Sequence, residues 1–489
     1  MKKNNFVFCP RFGVLLIVLG LFIFLRVFNI TQNLNLFGDF GRDLFVLQDW
    51  SENLLKPPLL GPQTSVVSFN QSAIYYYYLF PFFLLMSHSV YSTLVASIVL
   101  YLSVFIFLWW WYRNKPSWQW RLLVLFLLIA VHPQFVLQQR YVWNPSLITP
   151  FLLLSMWSWI EFQKLKTNKW IWGMVLPLAI AASLNFSILP TVLVFLLLFT
   201  WQERKHLQNA FKIFLFGGIA GLATNLPTLV FELRHNFLLT KTLSSPEVLQ
   251  QETLLINKIR MFTTNIVLPT FFDDKSIFIL GSIIIILSII YFSKKYFKTT
   301  QIQNKIYRFS FQMFVGSSLF LLLSPLKMHE HYMFGVLTFL LVTIVTLPKK
   351  LVGIIAFVSI VLYLQPKYFS LYQKTAPHTV EEKTKCIQTF CEDRLNQSSA
   401  ENPIFVNTHS VSHNHQSLEY IFLLNEFGCS AIDTQEFNAS PVNEMLVVAD
   451  HATFENGKTG YYELSQFGEA TQVNSYQCDD NLNLYLLMK

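Results

Sequence analysis

The chain has 489 residues, 53% of them apolar and only 13% charged, with a formal net charge of +8. Apolar runs of roughly 20 residues recur from Phe12 to Gln365, a pattern that excludes an ordinary water-soluble domain. In lipid each run has to satisfy its own backbone hydrogen bonds, and without the alternation of a barrel strand the predicted solution is a bundle of helices.

The charge is unevenly placed. Beyond residue 370 lie 16 Asp and Glu against 6 Lys and Arg, leaving 12 acids and 30 bases in the first part. That positive excess sits in short loops between apolar runs, which is the signature of cytoplasmic retention and argues against nucleic acid as a partner.

In chain order, Met1-Lys2-Lys3 precedes an apolar run from about Phe12 to Ile30 with no small-residue cleavage site after it, which predicts an uncleaved first span and a cytoplasmic N-terminus. A polar stretch continues to Ser72, followed by the aromatic run Ile74 to Met86. At about 13 residues this run is too short to cross a bilayer core of roughly 30 Å, and it reads as a Tyr-rich segment lying in the outer interface. With it removed from the spans, the basic clusters Arg113 to Arg121, Lys164 to Lys169, Arg204 to Lys212, Lys294 to Arg308 and Lys349-Lys350 all face the cytoplasm. The spans become approximately 12 to 30, 90 to 112, 120 to 136, 143 to 162, 169 to 186, 187 to 203, 212 to 230, 276 to 293, 308 to 326, 331 to 348 and 350 to 366.

The expectation is therefore an all-α polytopic membrane protein of about eleven transmembrane helices, with residues 1–368 as the membrane domain and 31–89 as its first outer loop. Residues 369–489 form an extracytoplasmic tail. Its apolar stretches Pro403 to Asn407, Met445 to Ala449 and Leu482 to Met488 read as strands and Leu418 to Phe427 as a helix, giving a small α/β domain. Cytoplasmic loops are short and no Walker or Rossmann glycine pattern occurs, so no nucleotide-binding domain is expected. Besides Cys9, the cysteines Cys386, Cys391, Cys429 and Cys478 lie in the tail; two disulfides are expected outside the membrane, with three connectivities open and free thiols as the alternative.

The densest charge near the end of the first span is Gly38-Asp39-Phe40-Gly41-Arg42-Asp43. If a helix begins here, Asp39 and Asp43 share one face with Arg42 beside them. Two carboxylates and a guanidinium suit a base, a metal site or a phosphate clamp, and equally an N-cap with a surface ion pair.

This run, together with Leu59-Leu60-Gly61-Pro62-Gln63-Thr64-Ser65 and Tyr75-Tyr76-Tyr77-Tyr78-Leu79-Phe80-Pro81-Phe82-Phe83, resembles the first outer loop of bacterial glycosyltransferases related to the protein O-mannosyltransferases. These are multispanning GT-C enzymes that take sugar from a polyprenyl phosphate. Trp143-Asn144-Pro145, the stretch Leu226 to Phe237 and Glu330-His331-Tyr332 are similar to that family as well, in the same order along the chain. The resemblance implies Asp39 as general base, supported by Asp43. It also implies a lipid-phosphate sugar donor held by cations, for which Arg42, Arg140, Arg234, His235 and His331 are available. Tyr75, Tyr76, Glu232, His329 and Tyr332 complete the expected substrate-binding set.

Each residue also has a structural reading. Arg140 and Arg234 suit snorkelling at an interface. His331 suits a hydrogen-bonded interfacial histidine, Glu232 a helix cap or a partner for Arg234, and Tyr75 to Tyr78 an aromatic belt. Asp273-Asp274 lacks the intervening residue of a DXD motif, and His409, His413 and His415 lie in a Ser- and Asn-rich loop, so neither group is expected to bind metal. The sequence assigns no cofactor, although the carboxylates leave room for a divalent metal.

The expected function is an inverting hexosyl- or pentosyltransferase of the cell membrane. It moves one sugar from an undecaprenyl-type phosphate to a lipid, polysaccharide or protein acceptor on the outer face, at a site between the first outer loop, the Phe231 loop and the His329 to Tyr332 link. The alternatives are a flippase for lipid-linked saccharides, which the scarcity of charge within the spans disfavours, and a glycan polymerase or ligase.

Overall fold

In a computed structural model of the chain, the residues described are 10–36, 38–64, 69–243, 255–262, 302–324, 329–364, 366–396, 402–410, 417–433, 442–450, 454, 467–479 and 481–489. They fall into two compact units. One comprises 1–28, 58–82 and 91–369, and the other 29–57, 83–90 and 370–489.

The first unit is helical. Its main helices are Pro10–Val27, Ser92–Trp111, Pro116–Val131, Pro133–Arg140, Ile148–Leu165, Asn168–Leu184, Leu189–Gln202, Leu207–Thr224, Leu226–Arg234, Ile302–Leu323, Phe334–Thr346 and Lys349–Tyr363, with a small hairpin of β1 (Leu60–Gln63) and β2 (Asn70–Ser72). Among the described residues three helices are long and apolar enough to cross a membrane, or up to five if each of two bent pairs is one span. Eleven spans are not reached by this measure, and the segment 276 to 293 lies outside the described residues. The short aromatic run forms a helix, Ile74–Leu85, with Pro81 inside it. Tyr75 and Tyr76 are buried in the protein, which corrects the expectation that this end of the aromatic run anchors at an interface.

Proline explains both bends. Pro133 follows the helix Pro116–Val131 and the chain turns by 61°; Pro227 follows Leu207–Thr224 and the chain turns by 66°. Each proline lacks an amide donor but suits the first turn of the next helix. At the first break the Ile129 carbonyl faces Pro133 where it would have met an N–H, and the Gln134 amide donates to His132 Nδ1 instead of continuing the ladder to Ala130. Arg26 supplies what is missing. Its guanidinium donates to the Ala130 carbonyl at 2.8 Å and to the Ile129 carbonyl at 3.1 Å, while Nε reaches Gln139 at 2.5 Å.

The second unit combines the helix Gly38–Glu52 with the tail. Helices Val380–Asn396 and Leu418–Glu426 accompany a five-stranded sheet of β3 (Ile404–Ser410), β4 (Ala431–Asp433), β5 (Glu444–Asp450), β6 (Thr471–Asp479) and β7 (Leu482–Met488) in the order β4-β3-β5-β7-β6. β3 runs parallel to β4 and β5, whereas β7 runs antiparallel to β5 and β6. Phe405, Met445, Val447, Ala449, Phe454, Phe467 and Leu487 are buried together on this sheet. The tail cysteines pair as Cys386–Cys478 and Cys391–Cys429.

Within this unit, residues 32–36 and the helix Gly38–Glu52 are held by residues of the tail. The Ala376 amide donates to the Gln32 carbonyl, Asn33 to the Lys374 carbonyl and Lys383 to the Leu36 carbonyl, at 2.7, 2.7 and 2.9 Å. Gln48 donates to Glu426 at 2.9 Å.

Candidate active site

The helix Gly38–Glu52 begins with Gly38 at φ 48°, a left-handed conformation in which a side chain would be strained. Asp39 follows in the first turn, where a carboxylate meets the positive end of the helix dipole. Arg42, one turn on, donates through Nη1 to Asp39 Oδ1 at 2.6 Å and through Nε and Nη2 to Asp43 Oδ1 at 3.1 and 2.9 Å. The three side chains differ in exposure: 52% for Asp39, 16% for Arg42 and none for Asp43. A buried carboxylate thus fixes the guanidinium, and the guanidinium fixes an exposed carboxylate. The triad carries one net negative charge, offered to solvent at Asp39.

Gly41 lets this helix sit close to its neighbour. A Cβ built there would lie 2.4 Å from Glu419 Cβ, 2.6 Å from its Cα and 2.7 Å from its amide nitrogen. The glycines of the Gly38 to Asp43 run therefore have separate tasks, one conformational and one steric.

The remaining expected residues belong to the first unit. Arg140 is 1% exposed, and its Nη1 donates to the carbonyls of Leu25, Arg26 and Phe28 at 3.0, 3.4 and 2.8 Å, capping the C-terminal end of the helix Pro10–Val27. Arg234 ends the helix Leu226–Arg234, is exposed, and has no ion pair among the described residues. His235 lies next to it, its ring stacked on Phe231 with centroids 4.0 Å apart and Nδ1 2.9 Å from the Phe231 carbonyl. Glu232 does not pair with Arg234. Its carboxylate accepts from the amides of Leu239 and Thr240 at 2.8 and 3.0 Å and from the Thr240 hydroxyl at 2.5 Å, capping the helix Leu238–Leu243.

A second cluster in the first unit is aromatic. The ring of His331 lies 4.5 Å from Trp143 and 4.5 Å from Tyr332, and His329 lies 5.5 Å from His331 and 5.4 Å from Tyr332. Asn144, beside Trp143, is buried and donates to the Leu184 carbonyl at 2.5 Å, fixing the turn that presents the tryptophan. Tyr75 and Tyr76 contact each other at 5.4 Å, and the Tyr75 hydroxyl donates to the Val142 carbonyl at 3.5 Å. Asp273, Asp274, His413 and His415 lie outside the described residues.

Sequence reasoning missed the engagement of Arg26, whose place inside the first apolar run gave a usable signal, because a charge within a span requires polar company. It also missed the pocket at the far end of the Asp39 helix. That pocket has a volume of about 390 Å³ and is lined by Phe45, Asp49, Glu52, Asn425 and the 428–431 turn.

No protein-family model and no curated protein matches this sequence. Among solved structures, the chain is similar to the crystal structure of ArnT from Cupriavidus metallidurans bound to undecaprenyl phosphate. The TM-score is 0.64 and the sequence identity 10%, covering 97% of this chain and 98% of that one. A likeness of that extent, with so little identity, establishes the architecture: the chain has the GT-C fold.

Proposed function

We propose that the protein is a membrane glycosyltransferase that transfers one sugar from an undecaprenyl-type phosphate to a hydroxyl on an acceptor at the outer face of the membrane. The observation that carries the reading is the Asp39–Arg42–Asp43 arrangement, in which an exposed carboxylate is held in place by a guanidinium that a buried carboxylate holds in turn. The GT-C fold supports the donor class, since the solved structure it matches contains undecaprenyl phosphate.

In this reading Asp39 accepts the proton of the acceptor hydroxyl as its oxygen attacks the anomeric carbon. The bond from that carbon to the phosphate oxygen breaks, its electron pair leaves with the phosphate, and the configuration inverts. Asp43 is a positioning residue acting through Arg42. The departing phosphate needs a cation. Arg42 is engaged with two carboxylates and Arg140 with three carbonyls, so Arg234 is assigned to the phosphate on its own surroundings, with His235 as a further candidate, whereas His331 is buried among the rings of Trp143, His329 and Tyr332 and is not a cation there. In this reading the tail lies outside the cell membrane, and its two disulfides, which suit an oxidising compartment, support that side.

The test is transfer of labelled sugar from undecaprenyl-phosphate donors to membrane-lipid and polysaccharide acceptors by purified protein in detergent. Asp39→Asn keeps the size of the side chain and removes the base, and turnover is expected to fall by about 10²–10⁴-fold with the melting temperature nearly unchanged. Full activity in that variant would remove Asp39 from the chemistry. If wild-type protein transfers sugar from no donor yet moves labelled lipid-linked sugar across proteoliposomes, the protein is a transporter.

A further inference from the structure

Away from the Asp39 helix, the second unit gathers three side chains that commonly bind metals. His378 lies just before the helix Val380–Asn396, Glu382 in the first turn of that helix, and Asp479 at the end of β6. One ligand atom from each lies within 4.8 Å of the others. The imidazole is 1% exposed while both carboxylates reach solvent.

His378 Nδ1 stands 3.7 Å from Asp479 Oδ2, beyond hydrogen-bond range. Two ligands on a tetrahedral ion, each about 2.0–2.2 Å from it, are separated by roughly 3.4 Å, so a modest contraction converts this spacing into a coordination edge. The spacing does not depend on a metal to hold it. Cys478, next to Asp479, is disulfide-bonded to Cys386, which lies four residues after Glu382 and so one helical turn on. The Thr379 amide donates to Glu382 Oε2 at 2.7 Å, orienting that carboxylate as an outer partner orients a metal ligand. The helix N-terminus opposes a cation with about half a positive charge, and two carboxylates outweigh it.

We propose that His378, Glu382 and Asp479 bind one divalent transition-metal ion of the zinc class, clamping the start of the helix Val380–Asn396 to β6. One imidazole and two carboxylates form a three-ligand set that leaves a position for water. The buried ring nitrogen selects against calcium and magnesium, which prefer oxygen throughout. Thiolate ligation plays no part, because all four tail cysteines are in disulfides.

Untagged full-length protein in detergent is stripped with EDTA and titrated with zinc chloride, following bound zinc by elemental analysis and unfolding by melting temperature. One equivalent of zinc is expected, with a rise in melting temperature that EDTA reverses. His378→Ala should weaken zinc binding by about a hundredfold, as expected for loss of a metal ligand, and Asp479→Asn by at least tenfold. Glu382→Gln is the folding control: glutamine preserves the cap on Thr379 and removes the charge, so the apo melting temperature is retained while zinc affinity falls. Less than about a tenth of an equivalent bound by wild type, or affinity unchanged in all three variants, overturns the proposal.

Discussion

Gly41→Ala is the most direct probe of how the Asp39 helix is seated. The added Cβ would meet Glu419 at 2.4 Å from its Cβ, 2.6 Å from its Cα and 2.7 Å from its amide nitrogen, and two of these three atoms are backbone. Rotation of a side chain cannot relieve the contact. Reaching an ordinary separation of about 3.5 Å requires the two helices to part by roughly 1 Å, and overpacking of this kind costs about 1–3 kcal/mol. Alanine recovers about 1 kcal/mol of helix propensity, so a net loss of up to about 2 kcal/mol is expected. The effect on turnover should be larger in proportion. A displacement of about 1 Å in a positioned catalytic group can lower the rate by about 10²-fold. Gly218→Ala serves as the comparison, since it lies in the helix Leu207–Thr224 with nothing within 4 Å of its added Cβ and should leave both quantities unchanged or slightly raise stability. Melting curves and the labelled-sugar assay on the two variants decide the matter. Equal stability and equal turnover in Gly41→Ala and wild type would refute the close approach and, with it, the account of why glycine occupies this position.

Arg42→Leu leaves the buried Asp43 carboxylate without its guanidinium and should destabilise the protein by about 3–5 kcal/mol, whereas Asp39→Asn, at an exposed site, should not; denaturant melts of the two variants make the comparison. Replacing Cys386 and Cys478 together by serine removes a link across 92 residues, and a loss of about 4–5 kcal/mol is expected from chain entropy, read as a lower unfolding midpoint without reductant. Glu232→Ala removes the acceptor for two amides and a hydroxyl at the start of the helix Leu238–Leu243, a loss of about 0.5–2 kcal/mol that should appear as faster proteolytic cleavage after Arg234 or Lys241.

Among the described residues, helices were legible where a long apolar run was the whole signal, as in Pro10–Val27, Ser92–Trp111 and Ile302–Leu323. The breaks were not. Expected spans 120 to 136 and 212 to 230 were drawn through Pro133 and Pro227, because hydropathy averages over a window and does not register a single missing amide donor. Tyr75 and Tyr76 illustrate a different ambiguity: an aromatic run has the same composition whether lipid headgroups or other side chains surround it, and only packing distinguishes the cases. The helix Val380–Asn396 did carry a local signal, the spacing of Thr379 and Glu382, whose side chains cap each other's amides reciprocally.

The arginines show why chemistry is harder to read than fold. Arg42, Arg140 and Arg234 are the same side chain near the ends of helices or apolar runs, and the family resemblance implied the same phosphate-binding role for all three. Their surroundings separate them. Arg140 completes the carbonyl ends of the first helix, Arg42 joins a buried carboxylate to an exposed one, and Arg234 projects from the end of its helix without an ion pair among the described residues. The same reasoning divides the acidic pair. Asp43 has no exposed surface and faces the guanidinium, so a proton from an acceptor hydroxyl has no direct path to it, whereas Asp39 stands half exposed on the preceding turn. Burial therefore makes the two carboxylates unequal. The proposed reaction places the base at the one that water and an acceptor can reach, and gives the other the task of keeping Arg42, and through it Asp39, in place.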